Sequence, residues 1–489
     1  MKTFRKIKIK IGATILVLTF FLLPVVKLDQ PSSTVVFDHR GILLGATVAA
    51  DGQWRFPGAA KLPTKFTQAL LCYEDRRFYL HSGFDLVSLC RAMRDNLRAK
   101  HIVSGGSTIT MQVVRLARHG QRRTIIEKMI EMVLAIRLEW AIPKRQILAV
   151  YAANAPFGGN VVGLEAAAWR YFGRPSEELS WAESAMLAVL PNSPALIHPG
   201  RNRLALETKR NRLLRRLYQI DKIDSLTYAL ATAEPLPGKP LPLPMTAPHL
   251  VQRIFLEQHG QGGRIITTLD ATLQKRCSSV LNRRMKGLLA NSIGNAAALV
   301  LDLSNGAALV YLGNVTNDDP QHHPQVDIIT SPRSTGSLLK PFLYAGMLES
   351  GEILPTTLVP DIPTQMGSFA PKNYNRGYEG AVPAFRALAR SLNVPAVRML
   401  HLYGVDRFYD LLLSIGLTTL FRPAKEYGLS LILGGAEGTL WDLTAAYAYL
   451  ARCAVYRSAY IAPHILQEDD PKKGQDSHLQ EGKTQLSLE

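Results

Sequence analysis

The sequence predicts a multidomain protein: an N-terminal membrane anchor, a mainly α-helical domain, and then a mixed α/β domain. Three observations predict it. Lys2, Arg5, Lys6, Lys8 and Lys10 precede an apolar run from Ile11 to Val26. Apolar residues at helical spacing dominate from Pro63 to Leu217, whereas strand-like runs join the helices after Gly263. Between them, EPLPGKPLPLPMTAP at 234–248 carries six prolines and reads as extended chain. At roughly 100–200 residues per domain, 489 residues suit two or three domains.

The apolar run at 11–26 is somewhat shorter than the roughly 20 residues of a full membrane span. No small-x-small cleavage site follows, because the next residues are KLDQPSS. The expectation is an uncleaved signal anchor within 1–28, its basic end cytoplasmic and the bulk of the chain outside the cytoplasmic membrane. The formal charge of +18 suits an anionic partner such as a headgroup or a pyrophosphate. With an anchor, a nucleic-acid partner is not expected. Cys72, Cys90, Cys277 and Cys453 lack metal-ligand spacing and read as buried free thiols, with a Cys72–Cys90 disulfide the alternative in an exported chain.

VVFDHRGILLGATV, from Val35, reads as a hairpin. The helical domain is expected over 45–217, with amphipathic segments EKMIEMVLAIRLEW and EELSWAESAMLAVL and helix ends at Pro143 and PNSP (191–194). A linker region covers 218–290, and within it GRIITTLDATLQKRC reads as a strand entering a helix. The α/β domain follows at 291–455, opening with a hairpin around Asn305-Gly306. The tail at 467–489 is polar and has few large apolar residues.

Sugar transfer from a diphosphate donor needs a base for the acceptor hydroxyl, positive charge for the departing diphosphate, and alignment of both. The helical half offers each. Glu74 and Asp75 open EDRRFYLHSGFD at 74–85. Lys128 and Glu131, at i, i+3, share one helix face in RRTIIEKMIE. SGGST at 104–108 supplies backbone N–H groups that can approach a phosphate.

Singly these signals are weak. In order, however, EDRRFYLHSGFD, GGSTITMQ (105–112), RTIIEKMIE, PKRQILAVYAANAPFGG and GLEAAAWRYFGRPSEELSWAESAMLAVLPNSP resemble the glycosyltransferase domain of class A penicillin-binding proteins and monofunctional transglycosylases. The Met111-Gln112 wording and APFGG are closest to the 1C branch. The resemblance implies a lysozyme-like helical fold and polymerisation of lipid II into a β-1,4-linked glycan. It implies Glu74 as general base. It gives Glu131 a role at the diphosphate, directly or through a divalent cation (Mg or Mn), and makes Lys128 a diphosphate ligand. It places Asp75, Phe78, His81, Thr108 and Gln112 along the cleft, and lays LVSLCRAMRDNLRAK against the membrane. Two departures stand out. Glu127 replaces a basic residue, with Arg122 and Arg123 nearby, and Gln146 stands where many members have Glu.

PRSTGSLLKPF puts Ser337 and Lys340 at i, i+3, where a neutral lysine takes a serine proton. About fifty residues later RSLNVPA carries Ser391 and Asn393. With TTLDATLQ and LSLILGG, these resemble the first two motifs of penicillin-binding transpeptidases. The resemblance implies Ser337 as nucleophile, Lys340 as its base, and Ser391 and Asn393 in proton relay and substrate contact. The third motif, Lys-Thr/Ser-Gly, is missing; Lys483-Thr484 is followed by Gln485 in the polar tail. The expectation is an incomplete, defective transpeptidase domain. Other readings stay open: a fully bifunctional synthase, a wall-cleaving muramidase, which needs no diphosphate cradle, or a membrane scaffold binding other cell-wall synthesis proteins.

Overall fold

The computed structural model describes residues 20–26, 28–58, 61–101, 105–118, 124–192, 199–315, 320–456 and 461–467. Most of the expected anchor lies outside these residues, as do Arg122, Arg123, part of PNSP, and the tail with Lys483 and Thr484. Among the described residues no helix is long and apolar enough to cross a membrane. The chain forms two compact units, one built mainly from Gly45–Met245 and the other mainly from the chain after Ile266.

Strands β1 (Thr34–Phe37) and β2 (Leu43–Ala46) form the hairpin read from the sequence. Asp38 closes its turn by accepting from the N–H groups of Arg40 (2.9 Å) and Ile42 (2.7 Å).

The first unit is helical, with α1 (Thr64–Glu74), α2 (Leu86–Ala99), α3 (Ile109–Ala117), α4 (Ile125–Ala141), α5 (Lys144–Asn154), α6 (Leu164–Phe172), α7 (Trp181–Val189), α8 (Arg203–Gln219) and α9 (Ser225–Ala233). Its centre is α7, which packs against α1 and α8. Every residue from Ala182 to Val189 is buried. The amphipathic helix expected over EELSWAESAMLAVL is therefore two pieces, a short 3-10 turn at Ser176–Glu178 and a fully enclosed helix. The break is a capping box. Ser180 Oγ accepts from the Glu183 N–H (3.1 Å), and the Glu183 carboxylate accepts from the Ser180 N–H (2.8 Å). Pro143, with φ −66°, starts α5. The stretch read as a linker region, 218–290, contains α9, α10 (Pro248–Glu257), a strand at Gly263–Ile266 and α11 (Ala271–Leu289); its irregular part is the proline-rich 234–247.

In the second unit Asp270 caps α11, its side chain accepting from the N–H groups of Thr272 and Leu273. The hairpin around Asn305-Gly306 pairs Ala298–Leu301 with Ala308–Leu312, and Gly306 takes the left-handed conformation at its turn (φ +79°). Buried Gln274 ties α11 to this hairpin. Its amide donates to the Tyr311 carbonyl (2.7 Å) and accepts from the Tyr311 N–H (2.8 Å). Leu339, Leu343, Val397, Leu400, Phe408 and Leu431 lie in the core behind α12 (Lys340–Glu349), α13 (Ala384–Ala389) and α14 (Asn393–Tyr403). All four cysteines are free thiols, but only Cys72 is buried; Cys90 is exposed and Cys277 and Cys453 are half-buried.

Candidate active site

Helix α3 organises the first site. Its N-terminus is built from residues of EDRRFYLHSGFD. Asp75 accepts from the Ile109 N–H (3.1 Å), placing a carboxylate where the helix dipole favours one. Thr108 caps the helix by accepting from the Met111 N–H (3.2 Å) and donates to the Gly83 carbonyl (2.6 Å). His81 Nε2 lies 3.0 and 3.1 Å from the two Asp75 oxygens. Phe78 is wholly buried, with the Lys144 ammonium 4.4 Å from its ring centroid.

Asp75, Phe78, His81 and Thr108 were expected to line a cleft. In the structure Asp75, Phe78 and Thr108 are buried, and His81 packs beside Asp75 at the N-terminus of α3. Asp75 and Thr108 find internal partners, whereas His81 Nδ1 is buried without a hydrogen bond. These four residues build the frame on which the half-buried groups stand.

Two residues of α3 point that frame at the candidate glutamates. Gln112 Nε2 donates to Glu74 Oε2 (2.7 Å) at the C-terminal end of α1. One turn on, Arg115 grips Glu131 of α4 with two parallel bonds, Nε to Oε1 (2.7 Å) and Nη2 to Oε2 (2.8 Å). Both glutamates are thus attached to one face of a single helix, at positions i and i+3. Burial pushes the Glu74 carboxyl above its usual range, and Asp75 adds to this; hydrogen bonds from Gln112 and Asn192 and the charge of Lys209 pull it back. Its second oxygen, Oε1, is buried and accepts no well-formed hydrogen bond. A base held in this way has one oxygen fixed by Gln112 and the other buried without a well-formed partner.

Glu127, the departure in the third motif, is paired with Arg118, Nε to Oε1 at 2.5 Å and Nη2 to Oε2 at 3.0 Å. Its charge is therefore answered within the unit rather than left beside Lys128. Lys128 joins Lys100 and His101 at a cavity of about 590 Å³ whose other wall is Leu89, Ala92, Met93 and Leu97 of α2. Cations beside an apolar wall suit an amphiphile with an anionic head.

Arg115 carried no weight in the sequence reading. Its signal was available, a basic residue one turn after Gln112, but only the fold brings Glu131 to it across 16 residues.

The second site gathers Lys340, Ser391 and Asn393. Lys340 is buried, and its ammonium donates to the Ser391 carbonyl (2.8 Å), Ser391 Oγ (3.2 Å) and Asn393 Oδ1 (2.7 Å). Burial lowers its pKa to about 8. Ser391 sits at φ +51°, an uncommon backbone for a non-glycine residue that aims its carbonyl at the lysine. Asn393 is held by Asn373, whose Oδ1 accepts from the N–H groups of Asn393 (2.9 Å) and Val394 (3.1 Å). Asn373 in turn donates to buried Asp361 (2.7 Å). Ser337 is exposed in the turn preceding α12, not on the helix itself. The adjoining segment is fixed from LSLILGG. Thr335 N–H donates to the Ala436 carbonyl (3.1 Å), and a Cβ on Gly434 would stand 2.7 Å from Gly336 N.

Residues 44–218 match the family model Transglycosylase, and residues 296–441 match the penicillin binding protein transpeptidase domain. Penicillin-binding protein 1C from Escherichia coli (strain K12) is 38% identical over 438 residues, covering 89% of this chain and 56% of its own length. Penicillin-binding protein 1B from Haemophilus influenzae is 28% identical over 413 residues, covering 80% and 52%. The crystal structure of penicillin-binding protein 1A from Haemophilus influenzae covers 90% of this chain and 70% of its own, at 18% identity and a TM-score of 0.47. The chain spans about half the length of the curated relatives it matches. A transglycosylase domain followed on the same chain by a penicillin-binding transpeptidase domain, together with 38% identity over most of its length, shows that the chain belongs to the class A penicillin-binding proteins.

Proposed function

We propose that the first unit is a peptidoglycan glycosyltransferase that polymerises lipid II into β-1,4-linked glycan. The observation that carries this reading is the pair of glutamates fixed on one face of α3, one with a free buried oxygen and the other bound to a guanidinium. Glu74 Oε1 takes the proton of the acceptor sugar hydroxyl as that oxygen attacks the donor carbon. The donor's bond to its lipid diphosphate breaks with inversion. Arg115 and Lys128 supply the positive charge that the leaving diphosphate requires. Both Glu131 oxygens are already taken by Arg115, and among the described residues no cluster of three acidic, histidine or cysteine side chains could hold a metal. Arg115 thus occupies the Glu131 carboxylate, and no step is assigned to a divalent cation.

The surroundings suit a lipid-linked substrate and the surface of the cytoplasmic membrane. Leu97, Ile125, Ile126 and Trp140 are all more than 60% exposed on α2 and α4. A basic chain with such an apolar face fits an anionic membrane surface. We place the unit on the periplasmic side, beside nascent glycan and other cell-wall synthesis proteins.

For the second unit we propose weak acylation at Ser337. All three N–H groups of the Lys340 ammonium have acceptors on Ser391 and Asn393, so at neutral pH the lysine stands as a filled donor rather than a poised base.

The test offers labelled lipid II and finished cell wall separately to the detergent-solubilised chain. Glycan from lipid II, with finished wall untouched, is the expected result. Fragments released from finished wall would favour the muramidase reading, and activity on neither would favour the scaffold.

A further inference from the structure

Tyr151 belongs to PKRQILAVYAANAPFGG, a motif to which no role has so far been given. It lies on α5 with 1% exposure, and its hydroxyl reaches Gln112 Oε1 at 3.3 Å. The other end of the same amide donates to Glu74 Oε2 at 2.7 Å. We infer that Tyr151 and Gln112 form a positioning relay that orients the Glu74 carboxylate, phenol to amide to carboxylate, and leaves Oε1 free for the acceptor hydroxyl. The inference rests on the glycosyltransferase reading of Glu74 and adds to it the residues that set the base.

The direction of each bond follows from the groups. An ionised carboxylate only accepts, so Gln112 must turn its NH2 toward Glu74. Its carbonyl then faces Tyr151, which must donate. Burial and the nearby Glu74 charge push the Tyr151 phenol well above its ordinary pKa, so it keeps its proton. Without that donor the amide is free to flip, and its oxygen would then oppose the carboxylate. Neither residue exchanges a proton with substrate; both act through Glu74.

The relay makes a signed prediction. The Gln112 N–H favours the ionised base, so losing it raises the Glu74 pKa. Tyr151→Phe in the full chain should lower kcat for lipid II polymerisation by up to about tenfold, the upper end for one hydrogen bond between neutral groups. KM should stay within about twofold, and the acidic limb of the kcat–pH profile should move to higher pH. Gln112→Leu should do the same, and the double variant should be no worse than Gln112→Leu alone, since the phenol acts only through the amide. Glu74 ionisation is followed in parallel by infrared difference titration, assigned with Glu74→Gln. This readout needs no turnover. A raised Glu74 pKa in either variant without any wild-type polymerisation would uphold the relay and reject the glycosyltransferase. Normal polymerisation with an unmoved pKa and pH profile in Gln112→Leu would overturn the relay, whether or not Tyr151→Phe folds. Additive losses in the double variant would overturn it too.

Discussion

Gln112 and Arg115 stand one turn apart on α3, and each takes charge of one glutamate. Glu131 has a side chain only 5% exposed, so its charge depends on Arg115. Arg115→Lys keeps a positive charge but loses the two-pronged bond. Polymerisation should fall about tenfold with the fold intact, as judged by circular dichroism. Arg115→Met should unfold the first unit at a lower temperature, because it strands a buried carboxylate; the cost expected is about 3–5 kcal/mol. Equal thermal stability of the two variants would contradict this account of Glu131. In the second unit, a Lys340 pKa of about 8 predicts that Ser337 acylation by a labelled β-lactam is slow at pH 7 and rises with pH through about 8, as the lysine loses its proton. The sign follows from burial, which disfavours the charged form. Fast, pH-independent labelling would contradict it. Motif order was enough to single out Glu74, Glu131, Lys340 and Asn393. Arg115, Tyr151, Asn373 and Asp361 were not legible, because each matters through a partner that only folding brings near.

At the scale of elements, the motif EDRRFYLHSGFD earns its length by building the junction between α1, α3 and α4. Gly83 shows how tight that junction is. Its φ is +92°, and a Cβ there would lie 2.6 Å from the Ile136 nitrogen and 2.7 Å from the Ala135 carbonyl carbon. Gly83→Ala should destabilise the first unit by about 2 kcal/mol or more, from backbone strain and the clash with α4. A drop in Tm of several degrees checks this, and an unchanged Tm would show that α4 can move away. Ser180→Ala should cost about 1 kcal/mol by removing the cap of α7. The helix boundary at Pro143 was legible because its chemistry is local. The break at Ser180 was missed because apolar residues run through it. The amphipathic reading of this segment also did not anticipate that α7 is buried on every side.

The molecule as a whole combines a net charge of +18 with an apolar face on α2 and α4. Both fit catalysis at a membrane surface on an anionic lipid-linked substrate. Division into a helical unit and a later mixed unit could be read from the change in apolar periodicity and the prolines at 234–248. The linker reading of 218–290 missed α9 and α10, short helices flanking the proline-rich stretch, although GRIITTLDATLQKRC was legible as the strand at Gly263–Ile266 running into α11. Fold and site together make one central claim, that Glu74 is the base of a glycan polymerase. The measurement that tests it most directly is the initial rate of glycan formation from labelled lipid II by the wild-type chain and by Glu74→Gln. The account predicts polymer from the wild type and a loss of about 10²–10⁴ in the variant, with its fold and substrate binding retained. Equal rates from the two proteins would contradict it.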